Sequence, residues 1–173
     1  MDKNQALQQL LTWKGQTYAS ELGIDLQQAE SGEIFKWFLA SILFGARISE
    51  ALAQRTYQAF EQNGLTTPQH LLEAGWDRLV EVLDSGGYAR YDFKTATKLL
   101  AVMQALQQDY SGDLNILHAR ATDSRDLVRR ITGLGKGIGP VTVQIFLREL
   151  RGIWEKARPD LSPMALLCAR HLG

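Results

Sequence analysis

Leu127-Val128-Arg129-Arg130-Ile131-Thr132-Gly133-Leu134-Gly135-Lys136-Gly137-Ile138-Gly139-Pro140-Val141-Thr142-Val143-Gln144-Ile145-Phe146-Leu147 reads as an amphipathic helix, a turn dense in glycine and a second helix starting at Pro140. Glycines at 135, 137 and 139 allow positive φ and close approach of another molecule to the backbone. The first amide N–H groups of the second helix have no partner within it, so they form an anion-binding end. Arg129, Arg130 and Lys136 flank that end with positive charge. A turn without side chains can lie against a sugar–phosphate chain without reading bases.

Working outward, no segment reads as a strand, and helix punctuation recurs. Gln5 to Leu22 spaces Leu7, Leu10, Leu11, Trp13 and Tyr18 at helical intervals and stops at Gly23. Ser31 is the expected cap of a second helix, in which Ile34, Phe35, Trp37, Phe38, Leu39, Ile42, Leu43 and Phe44 are apolar almost all round. Such a helix belongs at the centre of the fold. Ser49 caps a third, from Glu50 to about Gln62, and Thr67-Pro68 opens a short one through Leu72. Another short helix spans Asp77 to Leu83 before Gly86-Gly87. A long one follows from Tyr91 to Asp109, its apolar stripe formed by Phe93, Ala96, Leu99, Leu100, Met103 and Leu106. Helices at Ser124–Ile131, from Pro140 to about Leu150, and from Pro163 onward complete a pattern of about nine. The expected fold is all-α and compact, with a helical arm over 1–30 and a helical domain over 31–173.

Composition narrows the chemistry. Of the 173 residues 45% are hydrophobic and 22% charged, enough apolar material for a core without disulfides. Cys168 is the only cysteine and is expected in the core, which excludes an internal disulfide and a cysteine-ligated iron–sulfur cluster. His70, His118 and His171 show no ligand spacing, so no metal held by side chains is expected. The apolar run near Ile34–Ala46 is broken by Lys36 and too short to span a membrane, and no secretory signal opens the chain. A cytoplasmic protein is the expectation. Formal net charge is zero, yet Arg120 to Arg158 holds nine basic and four acidic residues. A solvated helix face accounts for such an excess as readily as a binding patch does.

Gly137-Ile138-Gly139-Pro140-Val141-Thr142-Val143 resembles the hairpin of helix-hairpin-helix DNA glycosylases, the endonuclease III-like superfamily. Ile42-Leu43-Phe44-Gly45-Ala46-Arg47-Ile48-Ser49 resembles the segment of those proteins where a buried helix ends and a capped one starts. Leu83 to Lys94 is similar to their glycine–aromatic turn, and Tyr110-Ser111-Gly112-Asp113-Leu114 to the turn after their long helix. The resemblance runs from about Ser31 to Gly173. It implies non-sequence-specific binding of duplex DNA, with Gly135, Lys136, Gly137, Ile138, Gly139 and Thr142 at a phosphate and Arg129 and Arg130 beside it. Arg47 would fill the gap left by a flipped-out base. A sodium or potassium ion on the hairpin backbone at Gly135 and Gly137 is implied as well.

Catalytic members carry an aspartate at the start of the helix after the hairpin, stabilising positive charge on the sugar. Counting back from Arg170-His171-Leu172-Gly173, that position falls on Ser162, whose hydroxyl caps a helix but carries no charge. Asp160, two residues earlier, is the alternative carboxylate; it also reads as a solvated loop residue beside Arg158. The place of the lysine that forms a Schiff base in bifunctional members is held by Val141, so no lyase step is expected. Three readings stay open. The first is a monofunctional glycosylase with Arg47 as wedge, Asp160 as the charged group and Tyr88, Tyr91 and Trp37 around the base, each of which also reads as core packing. The second is a DNA-binding module of the same fold without chemistry. The third is a helical interaction protein in which the hairpin is only a tight turn.

Overall fold

The computed structural model describes residues 2–172, which form ten helices and no strand. The helical period expected from Gln5 to Leu22 is interrupted: α1 (Lys3–Lys14) ends before Gly15, and α2 (Tyr18–Glu21) starts afresh. Thr17 causes the restart, its hydroxyl accepting the Ser20 amide at 3.2 Å. The Glu149 carboxylate, far away in sequence, accepts the Tyr18 and Ala19 amides at 3.0 and 2.9 Å. Burial pushes the Glu149 carboxyl up, against the pull of those amides.

The centre is α3 (Ser31–Phe44), buried on all sides as its composition requires. Its expected cap is displaced by one residue: Glu30 holds the cap position and Ser31 is the first helical residue. The Ser31 hydroxyl accepts instead from Asn115 Nδ2 at 3.3 Å, on α7 (Leu114–Arg120), a helix the sequence pattern did not mark. Asn115 also donates to Ala29 O at 2.8 Å and accepts Trp154 Nε1 at 2.9 Å, so one amide ties three segments together. Ser49 and Thr67 cap α4 (Glu50–Gln62) and α5 (Pro68–Ser85) as expected. Within α5, Gly75 adopts φ 74 and ψ 177, a region open to glycine almost alone. The two short helices expected there are thus two arms of one bent element.

The arms of α5 pack along α6 (Asp92–Tyr110). Two further helices, α8 (Ser124–Thr132) and α9 (Pro140–Glu149), follow, and α9 lies against α3. That contact is close because Gly45 has no side chain: a Cβ there would stand 2.1 Å from Thr142 Oγ1. The Trp37 indole N–H donates to the Phe146 carbonyl at 3.1 Å, and Phe146 meets Phe38 and Trp154 edge-on. Ala19, Leu22, Ile24 and Leu26 join the same buried cluster, so packing continues across position 30. By contrast, α1 has no buried side chain, and none is described on α10 (Pro163–Leu172). Cys168, expected in the core, is exposed because α10 lays no face on it. Phe93, expected in the buried stripe of α6, is exposed too. Among the described residues no helix is long and apolar enough to cross a membrane.

Candidate nucleic-acid interface

Asp123 caps α8 by accepting the Asp126 amide at 2.8 Å. One turn on, Asp126 gathers the nearby cations. Arg130 Nε reaches its Oδ2 at 2.8 Å, Arg129 pairs with its other oxygen, and the Thr122 amide donates to it at 2.9 Å. The Arg130 bond above all, then the Thr122 amide and the Arg129 bond, holds this carboxyl well below the usual range. Arg130 is half-buried and also reaches Tyr110 Oη at 3.4 Å, whereas the Arg129 side chain is largely in solvent. Arg130 is therefore part of the scaffold, and Arg129 is the more available of the two.

The segment from Gly133 to Gly139 reverses the chain between α8 and α9. Leu134 and Ile138 are buried and pin the turn to the core, and Ile138 N–H closes it on Gly135 O at 3.2 Å. The three glycines do different work. Gly135 lies against α6, where a Cβ would come within 2.8 Å of Val102 Cγ2. Gly137 has φ 109, and a Cβ would stand 2.9 Å from Lys98 Cδ. Gly139, the N-cap of α9, has φ −91 and nothing within 4 Å of where a Cβ would be. Its lack of a side chain therefore opens surface rather than relieving packing. Pro140 and Val141 follow in the first turn of α9, and Val141 is exposed. Thr142 is only 3% exposed and sits under the end of α3, so it supports the turn from within.

A cleft of about 420 Å³ opens beside this turn. Gly45, Ala46, Arg47 and Ile48 form one wall, Lys94, Thr95, Lys98, Leu99 and Val102 of α6 another, and Lys136, Gly137 and Ile138 the rim. Tyr88 and Tyr91 also line it; Tyr88 is buried, while Tyr91 is 46% exposed, with the Arg90 guanidinium 5.6 Å from its ring centre. Among the lining residues are four cations, Arg47, Lys94, Lys98 and Lys136, and no Asp or Glu. Lys94 and Lys98 were not picked out from the sequence, although their i, i+4 spacing at the start of a helix was the signal available. Trp37 is absent from this cleft. It is fully buried, its indole committed to Phe146, and belongs to the core rather than to a base pocket.

Asp160 and Ser162 lie elsewhere. Asp160 is exposed and borders a separate groove with Ser124, Arg125, Gln144 and Arg158, its main-chain oxygen accepting from Gln144 at 3.3 Å. Ser162 Oγ accepts the Ala165 amide at 3.2 Å and caps α10. The cleft and the groove share no lining residue. Among the described residues no group of three or more His, Cys, Asp or Glu side chains could hold a metal. Comparison with protein-family models, with curated proteins and with solved structures gave no match to this chain.

Proposed function

We propose that this chain binds duplex DNA through its backbone, without sequence preference, as a helix-hairpin-helix relative of base-excision glycosylases that holds DNA but does not cleave the glycosidic bond. The observation that carries this reading is the cleft beside the glycine turn, with four cations and no carboxylate around it. A DNA phosphate meets the unpaired amides at the start of α9, where the helix dipole favours an anion. Gly139 leaves room for the sugar–phosphate chain, and Lys136 adds a point charge at the turn. Arg47, on the facing wall, would enter the duplex, and the exposed Tyr91 would offer a ring to a displaced base.

The turn also suits the sodium or potassium ion that the resemblance implies. Main-chain oxygens are hard donors, and Gly135 O keeps a second lone pair after accepting the Ile138 amide. Gly135 and Gly137 are the residues that would hold it, and its charge would help neutralise a phosphate. Glycosidic hydrolysis needs a charged group near the sugar as positive charge develops there. Asp160 borders a different groove and Ser162 is neutral, so the cleft lacks that group. A glycosylase remains the competing reading, and base release decides it.

The test pairs binding with chemistry on duplexes carrying an abasic-site analogue or alkylated and oxidised bases. Gly139→Ala is the sharpest probe, because it strains nothing in the protein while crowding the phosphate. Loss of one charge-assisted hydrogen bond predicts binding weakened about tenfold or more at unchanged thermal stability. Equal affinity in the folded variant would remove the turn from the account. Release of a base, abolished by Asp160→Asn, would replace the binding reading with a glycosylase.

A further inference from the structure

Beside the cleft, on the outer face of α6, lies a pair of rings that duplex binding does not use. Trp76 and Phe93 stand on the surface, 39% and 59% exposed, with ring centres 5.3 Å apart and planes 31° from parallel. Both rings line a shallow groove with Lys94, Thr97, Lys98 and Lys136, and no acidic residue borders it. Asp77 and Asp92 are their sequence neighbours but not part of that lining.

The rings are set rather than loose. Gly75, at φ 74, bends α5 so that its second arm starts at Trp76 beside α6. The indole N–H then donates to Thr97 Oγ1 at 3.0 Å, and that hydroxyl donates to the Phe93 carbonyl at 3.0 Å. Phe93 and Thr97 are one helical turn apart, as are Lys94 and Lys98, so Phe93 and the Thr97 that anchors Trp76 run beside a cationic row along α6. Fixed aromatic faces in contact with water, with lysines as the only charged residues bordering them, match the needs of unpaired nucleotides. Bases stack on the rings and phosphates meet the charges. Duplex DNA cannot use the rings, since its bases are already stacked on one another.

We infer that the Trp76–Phe93 platform binds single-stranded DNA continuous with the duplex held at the glycine turn, so that the protein prefers junctions between paired and unpaired DNA. Lys136 lies in the turn and in this groove, which makes the two surfaces contiguous. The inference rests on the proposed DNA binding and shares its lysines, but the two rings belong to the platform alone.

The experiment compares a blunt duplex with the same duplex bearing a six-thymidine overhang, by fluorescence anisotropy with the full chain. One stacked base predicts about tenfold tighter binding of the overhang duplex. Trp76→Leu with Phe93→Leu should lose that increment and keep the blunt-duplex affinity, and Trp76→Phe should retain most of it. A readout independent of those variants uses Trp13→Phe. It leaves Trp76 as the only exposed indole, since Trp37 and Trp154 are buried. Oligothymidylate should quench its fluorescence, and polyglutamate should not. Equal affinity for blunt and overhang duplexes, an increment kept by the folded double variant, or equal quenching by polyglutamate would each overturn the inference. Blunt-duplex binding that is sensitive to Gly139→Ala without any overhang increment would sink the platform alone. Quenching by oligothymidylate without duplex binding would leave the platform and remove the turn.

Discussion

Two concavities flank the start of α9, and their charges differ in kind. The cleft beside the turn collects Arg47, Lys94, Lys98 and Lys136 with no acid, while the groove beyond it is lined by Asp160 together with Arg125 and Arg158. The first suits a polyanion; the second sets one carboxylate against two arginines. A chain of zero formal net charge can thus present a strongly cationic wall, because neutrality over 173 residues says nothing about any one surface. The difference also separates the groups that would hold DNA from the only carboxylate that resemblance offered for chemistry.

The contrast can be broken in several ways. Trp37→Ala should be the most severe change, costing about 3–5 kcal/mol in chemical denaturation, because it empties the centre of α3 and strips Phe146 O of its donor. A loss below about 1 kcal/mol would return Trp37 to the ligand-facing side. Replacing Lys94, Lys98 and Lys136 together by Gln should lower the slope of log affinity against log salt by about 2–3, close to one per lost phosphate contact. Arg125→Gln with Arg158→Gln should leave the slope nearly unchanged; equal losses would erase the distinction between the two surfaces.

Acid should act through Asp126, which belongs to neither concavity. Its carboxyl is depressed in the folded protein, so its contribution is fully present above the unfolded value near pH 4 and is lost as pH falls through the folded value. The melting temperature should therefore drop on acidification below about pH 4. Asp126→Asn should be less stable at neutral pH, with the gap to wild type closing in acid. The mildest change is Asp160→Asn, expected to move stability by less than about 0.5 kcal/mol and DNA affinity not at all.

What could be read from the residues depended on the range of the interaction. The all-round burial of α3, the caps at Ser49 and Thr67, and the helix beginning at Ser162-Pro163 were legible because each is decided within a few positions. The capping of α2 by Glu149 and the Asn115 junction were not, since their partners lie far off in sequence. Trp37 shows the limit of periodicity, which marks a residue as facing inward without saying whether it meets a core or a cavity. At Gly75 the pattern showed a break, but the direction of the bend, and with it the pairing of Trp76 and Phe93, came only with the backbone angles. The three turn glycines looked equivalent, yet each serves a different neighbour.

The absence of buried side chains on α1, and of any described on α10, has a consequence for how the molecule opens. Isolated helices of this length are marginal in water, and tertiary packing normally supplies what propensity does not. Amide protons in α1 and α10 should therefore exchange with solvent through local fraying at low free energy, independently of the rest. Those of α3 should exchange only when the whole core comes apart. In hydrogen exchange the chain should separate into a slow interior unit and two fast helices, and DNA bound at the turn should slow the first without protecting the second.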